Sequence, residues 1–172
     1  MLTTIGRSGG GKPELWQNLL DCHERIRRFT LLARKLGQPA PVDEVAEAAA
    51  ATLRYFTVAL PLHAADEESS IAPRLAEGAT PELAELLGKM SAEHGPIHQV
   101  VADLVPLWQI VAAEPARHAD LMPRLYAPAA WLGELFESHL RPEEELIFPA
   151  MNERLTPLAT AEILAEMRAR RA

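Results

Sequence analysis

The sequence predicts an all-α fold, an up-down four-helix bundle followed by a short C-terminal helix. Three observations carry that expectation. Apolar residues return at steps of three and four along four long stretches, which keeps them on one side of a helix. No stretch alternates apolar and polar residues for long enough to make a strand. The breaks between stretches are short and rich in glycine and proline, as antiparallel neighbours require.

Taken in order, residues 1–12 include the Gly-rich run from Gly6 to Lys12 and are expected to be a flexible lead-in. The bundle is expected over 13–155 and a helical tail over 156–172. Pro13 suits the first turn of a helix. The first stripe is Leu15, Leu19, Cys22, Ile26, Phe29, Ala33 and Leu36, ended by Gly37 and Pro39-Ala40-Pro41. The second is Val45, Ala49, Leu53, Phe56, Leu60, His63, Glu67 and Ile71. After Gly78, Thr80 is a candidate N-cap with Pro81 at the first helical position. The third stripe is Leu83, Leu87, Met90, His94, Ile97, Val101, Leu104 and Trp108. The fourth is Leu121, Leu125, Ala129, Leu132, Phe136, His139, Glu143 and Ile147, and a shorter pattern from Leu158 to Met167 makes the tail helix. Pro61, Pro96, Pro106, Pro123, Pro128 and Pro142 fall inside these patterns, so each is expected to kink or break its helix.

Composition narrows the function. The chain has 172 residues, 24 acids against 17 bases and a net charge of −7. It lacks the basic excess that phosphate neutralisation needs, so no nucleic-acid partner is expected. A membrane association is not expected either, because the longest uncharged run, 55–65, is too short to span a bilayer. One cysteine, Cys22, excludes an internal disulfide and any CxxC metal or redox motif, and points to a reducing, cytoplasmic setting.

The histidines carry the chemistry. His23, His63, His94, His98 and His139 lie on or beside the apolar stripes, at least one on each long helix. Glu67 is four residues after His63, Glu143 four after His139, and His98 four after His94, a spacing that shares a helix face. His118 is read as a surface residue. A carboxylate taken into a bundle core costs several kcal/mol unless it is paired, and no lysine or arginine shares these stripes beside Glu67 or Glu143. A bound cation supplies the missing charge. An internal repeat strengthens this reading. His63-Ala-Ala-Asp-Glu67-Glu68-Ser-Ser-Ile71-Ala-Pro73 aligns without gaps on His139-Leu-Arg-Pro-Glu143-Glu144-Glu-Leu-Ile147-Phe-Pro149, and His23-Glu-Arg-Ile26 pairs with His94-Gly-Pro-Ile97. Two copies of a helix pair would bring two His/Glu sets to one centre. On the fourth helix, Glu143 lies about 40° from the direction of His139 and Glu144 about 140°, so Glu143 is the expected ligand.

The single histidine on the first helix, HxxxE on the second, HxxxH on the third, HxxxE on the fourth and the following Leu146-Ile147-Phe148-Pro149 resemble the hemerythrin-like, or HHE cation-binding, family. The resemblance implies a four-helix bundle around two iron ions with an oxo or hydroxo bridge. The implied ligands are His23, His63, Glu67, His94, His98, His139 and Glu143. Oxygen-carrying members resemble HxxxxD on the fourth helix, a position that falls on Glu144 here.

Imidazole and carboxylate donors suit iron, and zinc or manganese accept the same set. Five histidines divided three and two would leave one metal five-coordinate, open to oxygen, nitric oxide or peroxide. Affinity is expected to fall below about pH 6, as free imidazoles protonate. The expected role is binding of a small diatomic ligand or of metal, for storage, sensing or redox repair, rather than enzymatic turnover. An iron-buffering or regulatory helical protein is the alternative. A ferritin-type ExxH, a zincin HExxH and a phosphate-binding GxxxxGK[ST] are all absent.

Overall fold

The computed structural model describes residues 13–172, which are almost wholly helical and contain no strand. The Gly-rich run lies outside the described residues. Five helices follow in order: α1 (Glu14–Leu36), α2 (42–76), α3 (Pro81–Ala113), α4 (118–154) and α5 (Pro157–Ala169). A single 3₁₀ turn, Pro115–Arg117, joins α3 to α4. No described helix is long and apolar enough to cross a membrane.

The stripes read from the sequence are the buried faces. Every residue of the fourth stripe is buried, and in the third only Leu83 is half-exposed. Helix ends also follow local chemistry. Thr80 Oγ1 accepts a hydrogen bond from the Leu83 N–H at 3.3 Å, with Pro81 opening α3. Thr156 caps α5 in the same way, accepting from Ala159 N at 3.1 Å. Gly78 turns the chain between α2 and α3 at φ 64°, a conformation that favours glycine.

The buried apolar residues form two separate clusters. One holds Ile26, Ala33, Phe56, Leu60, Ile97, Leu104, Trp108, Leu132 and Phe136 among others. The second holds Leu15, Leu19, Ile71, Leu75, Leu87, Met90, Ile147, Phe148 and Met151, together with Ile163, Leu164 and Met167 of α5. Each of the four long helices contributes to both clusters, and between its two contributions it carries buried histidine or glutamate.

The prolines do not break the helices. α3 continues through Pro96 and Pro106, and α4 through Pro123, Pro128 and Pro142. Wider, π-type turns occur instead at Tyr55–Ala59, Asp66–Ile71 and Glu143–Ile147. The N–H groups of Leu60, Ala72 and Phe148 reach back five residues, to the carbonyls of Tyr55, Glu67 and Glu143. Proline follows each of them, at Pro61, Pro73 and Pro149. A proline has no N–H and its ring collides with the carbonyl four residues back, and a widened turn just before it relieves that collision.

The π turns also hold the buried faces straight. His63, Glu67, Ile71 and Leu75 are buried at steps of four, and so are His139, Glu143, Ile147 and Met151. In a regular α-helix each such step drifts by about 40°. The wide turn cancels the drift, so a four-residue repeat stays on one face.

At the end of α1 the backbone passes close to α4, and a Cβ added at Gly37 would lie 2.7 Å from the Tyr126 Cα. Gly37→Ala is expected to destabilise the fold by about 1–3 kcal/mol through this overlap. Chemical denaturation should show the lower midpoint with an unchanged slope.

Candidate metal centre

Six of the seven sequence-predicted ligands converge in the layer between the two apolar clusters. His23, His63, Glu67 and Glu143 form one group of potential ligands, and His94, His139, Glu67 and Glu143 the other. Within each group the donor atoms lie within 4.8 Å of one another, and all six residues are buried. The two glutamates belong to both groups.

Each glutamate divides its oxygens between the groups. Glu67 Oε1 lies 3.0 Å from His63 Nε2 and 3.9 Å from His23 Nε2, while Oε2 lies 3.3 Å from His94 Nε2. Glu143 Oε2 lies 3.3 Å from His23 Nε2, while Oε1 lies 3.2 Å from His139 Nε2. The rings of each pair stand edge to face, with centroids 5.2 Å apart for His23/His63 and 4.8 Å for His94/His139. Phe148 lies 5.0 Å from the His23 ring and closes the layer toward the second apolar cluster.

The centre's polar atoms lack partners within the protein. His23 Nε2, both nitrogens of His63 and all four carboxylate oxygens of Glu67 and Glu143 are buried without a hydrogen bond. Orphaned buried polar atoms are rare and costly. Apart from His63 Nδ1, they are the atoms that face one another across the layer. This donor set fits metal cations, which supply positive charge to both carboxylates and take nitrogen lone pairs.

The opposite edges of three rings are held from outside. His23 Nδ1 donates to Glu144 Oε1 at 2.8 Å, His94 Nδ1 to Glu68 Oε1 at 2.6 Å and His139 Nδ1 to Glu93 Oε2 at 3.1 Å. Such bonds fix the tautomer, so that Nε2 presents its lone pair inward. Arg27 grips Glu144 with two bonds, at 2.7 and 3.2 Å, and the contacts with His23 and Arg27 hold the Glu144 carboxyl down at about 2.

Charge in the layer is balanced by protons when no metal is present. Burial pushes the His23 imidazole down, but Glu143, Glu144 and Glu67 outweigh it and raise its pKa to about 9. His94 rises to about 9 as well, since Glu67 and Glu68 outweigh burial. His63 is raised well above its ordinary value, chiefly by Glu67 acting against burial. Burial and the charge of Glu67 together raise Glu143.

His98 stays out of both groups. It is exposed, its ring parallel to that of His94 at 6.1 Å. The inner face of α3 continues from His94 by a step of three, to Ile97, and the turn of about 100° per residue then places His98 on the outer side. Ile97 and Val101 take the inward positions instead. His118, read as a surface residue, is buried, and its Nε2 donates at 2.8 Å to the carbonyl of Leu36 at the end of α1.

Sequence reasoning did not assign the outer carboxylates. The doubled glutamates of the repeat were the signal. In each copy the first faces inward and the second backs a histidine of the other half. Asp66 was also missed. It is fully buried beside Glu67 and held by Arg170 at 2.8 Å and by Arg171 at 2.6 Å, just beyond α5. Ser70, on the same wide turn, donates to Glu166 of α5. The tail therefore braces the turn that carries Glu67.

Comparison with known families agrees with this geometry. No curated protein matches the chain. The family model of the hemerythrin HHE cation-binding domain matches residues 14–132, which include His23, His63, Glu67 and His94. His139 and Glu143 lie beyond the match and are added by the repeat and the fold. Since the match spans more than half of its length, the chain belongs to the hemerythrin HHE cation-binding domain family.

Proposed function

We propose that the chain binds two iron ions, one at each histidine pair, bridged by Glu67 and Glu143, and that the loaded centre takes up a small diatomic molecule or peroxide. The observation that supports this most is the division of both glutamates between the two pairs, with their four oxygens lacking any other partner. An up-down course of α1 to α4 fits the reading. Their contributions to the two apolar clusters alternate in order, which brings four helices to one polar layer.

The residues would share the work as follows. His23 and His63 hold one ion, His94 and His139 the other. Glu67 and Glu143 hold the two together. A bound iron pair supplies redox chemistry and coordination sites beyond the four protein donors at each ion. Glu68, Glu93 and Glu144 orient the rings and offset charge. Two divalent ions bring four positive charges. Five carboxylates, the guanidinium of Arg27 and the ammonium of Lys89 beside Glu93 bring a net three negative, which offsets most of that charge. The apolar clusters above and below keep bulk water away from the centre.

Elemental analysis of protein from iron-replete cells should give close to two irons per chain. Glu143→Ala should lose both ions, because it removes an oxygen from each pair. Glu144→Ala should keep two ions at affinity lowered by roughly 10-fold or more, the usual effect of losing an outer partner. If Glu144→Ala empties the site and Glu143→Ala does not, the ligand assignment is wrong.

The pH dependence has a defined sign. Ligation needs neutral imidazole, and His23 and His94 hold protons up to about pH 9 in the metal-free chain. Loading at pH 7.5 should therefore release protons into weak buffer, and affinity should rise up to about pH 9, not level off near 6. Both pKa values are raised above the unfolded value of about 6.5. Their contribution to apo-protein stability is thus full below about 6.5 and lost as pH rises through about 9. The apo Tm should fall across that window, and the loaded Tm should not.

Azide tests the small-ligand step. Its addition should change the near-ultraviolet and visible absorption of the oxidised iron protein. A spectrum untouched by azide would refute uptake of a small ligand and leave metal retention as the role.

A further inference from the structure

The two histidine pairs are not equally supported, and the difference lies in one position of the repeat. His139 Nδ1 donates to Glu93, the residue immediately before His94. The repeat pairs His94 with His23, so the counterpart of Glu93 is Cys22. In the first half, Cys22 accordingly interacts with the ring of His63, the counterpart of His139. The rest of the outer layer keeps the symmetry, with Glu68 backing His94 and Glu144 backing His23. Among the four rings, only that of His63 has no described carboxylate on its outer edge. His63 is buried, and its Nδ1 makes no hydrogen bond. Sulfur is a weak acceptor where the other half has a carboxylate. Cys22 is also shared, since Arg25 Nη2 donates to its Sγ at 3.2 Å. On the same side, Glu144 divides its charge between His23 and Arg27, whereas Glu68 has no arginine partner among the described hydrogen bonds.

We propose that the two metal subsites are unequal: the His94/His139 subsite binds tightly and fills first, and the His23/His63 subsite, backed at His63 by Cys22 instead of a carboxylate, binds weakly and fills last. Cys22 is then a positioning residue that sets the affinity gap and leaves the second ion exchangeable. This rests on the two-metal reading above, but concerns only the difference between the subsites.

Anaerobic titration of the full chain with ferrous iron, followed by calorimetry, reads that difference. Wild type should bind two ions in two steps separated by roughly 10-fold or more, the usual worth of an outer carboxylate. His63→Ala should abolish the weak step and keep the tight one. Cys22→Glu, which restores the counterpart of Glu93, should draw the two steps together. Glu93→Cys changes a half-exposed residue and tests the idea if Cys22→Glu does not fold. It should weaken the tight step and also narrow the gap. Two indistinguishable steps in wild type would overturn the proposal while leaving the two-metal reading intact. Loss of the tight step in His63→Ala, or an unchanged gap in a folded Cys22→Glu or Glu93→Cys protein, would overturn it as well. A chain that binds no iron overturns both.

Discussion

Two carboxylates and four imidazoles are buried in one layer, and all four carboxylate oxygens and the inward nitrogens of His23 and His63 lack a hydrogen bond inside the protein. The rest of the structure answers to that constraint. Uncompensated, such a layer costs several kcal/mol for each ion taken from water. Protons held by His23, His63 and His94 offset the charge in the metal-free chain, and metal cations would offset it more fully. The apolar core is accordingly divided in two, and each long helix crosses from one cluster to the other through the polar layer.

The wide turns show how local sequence serves that layer. A glutamate four residues after a histidine begins on the right face of a helix, but a third and fourth residue at the same spacing would drift away. Pro73 and Pro149 follow the wide turns that prevent this, so Ile71 with Leu75, and Ile147 with Met151, still seal the polar layer from below. The same turns bring Glu68 and Glu144 within reach of His94 and His23 across the helix boundary. One short repeat thus encodes an inward-facing carboxylate, an outer support for a histidine and the backbone distortion that places both.

Much of this was legible in the sequence. The stripes located the helices because burial follows periodicity wherever a helix is regular, and Thr80 announced its cap. Glu67 and Glu143 were legible because a carboxylate on an apolar stripe, one turn from a histidine and far from any lysine or arginine on that stripe, demands a cation. His98 misled because a residue has neighbours on its face both three and four positions on, and in α3 the buried face runs from His94 to Ile97, the step of three. His118 misled because its partner, the Leu36 carbonyl at the end of α1, is 82 residues away and leaves no local mark. Glu93 and the clamp of Arg170 and Arg171 on Asp66 were illegible for the same reason. Each contact joins residues far apart in the chain, and polar surface positions look alike until packing chooses among them.

The central claim is that Glu67 and Glu143 bridge two metal ions within the divided core. Anomalous diffraction at the iron edge, from crystals grown with iron, tests it most directly. Two peaks roughly 3.5–4 Å apart, one beside His23 and His63 and the other beside His94 and His139, with both glutamates between them, are the predicted result. A single peak, or peaks confined to the surface around His98, would contradict it.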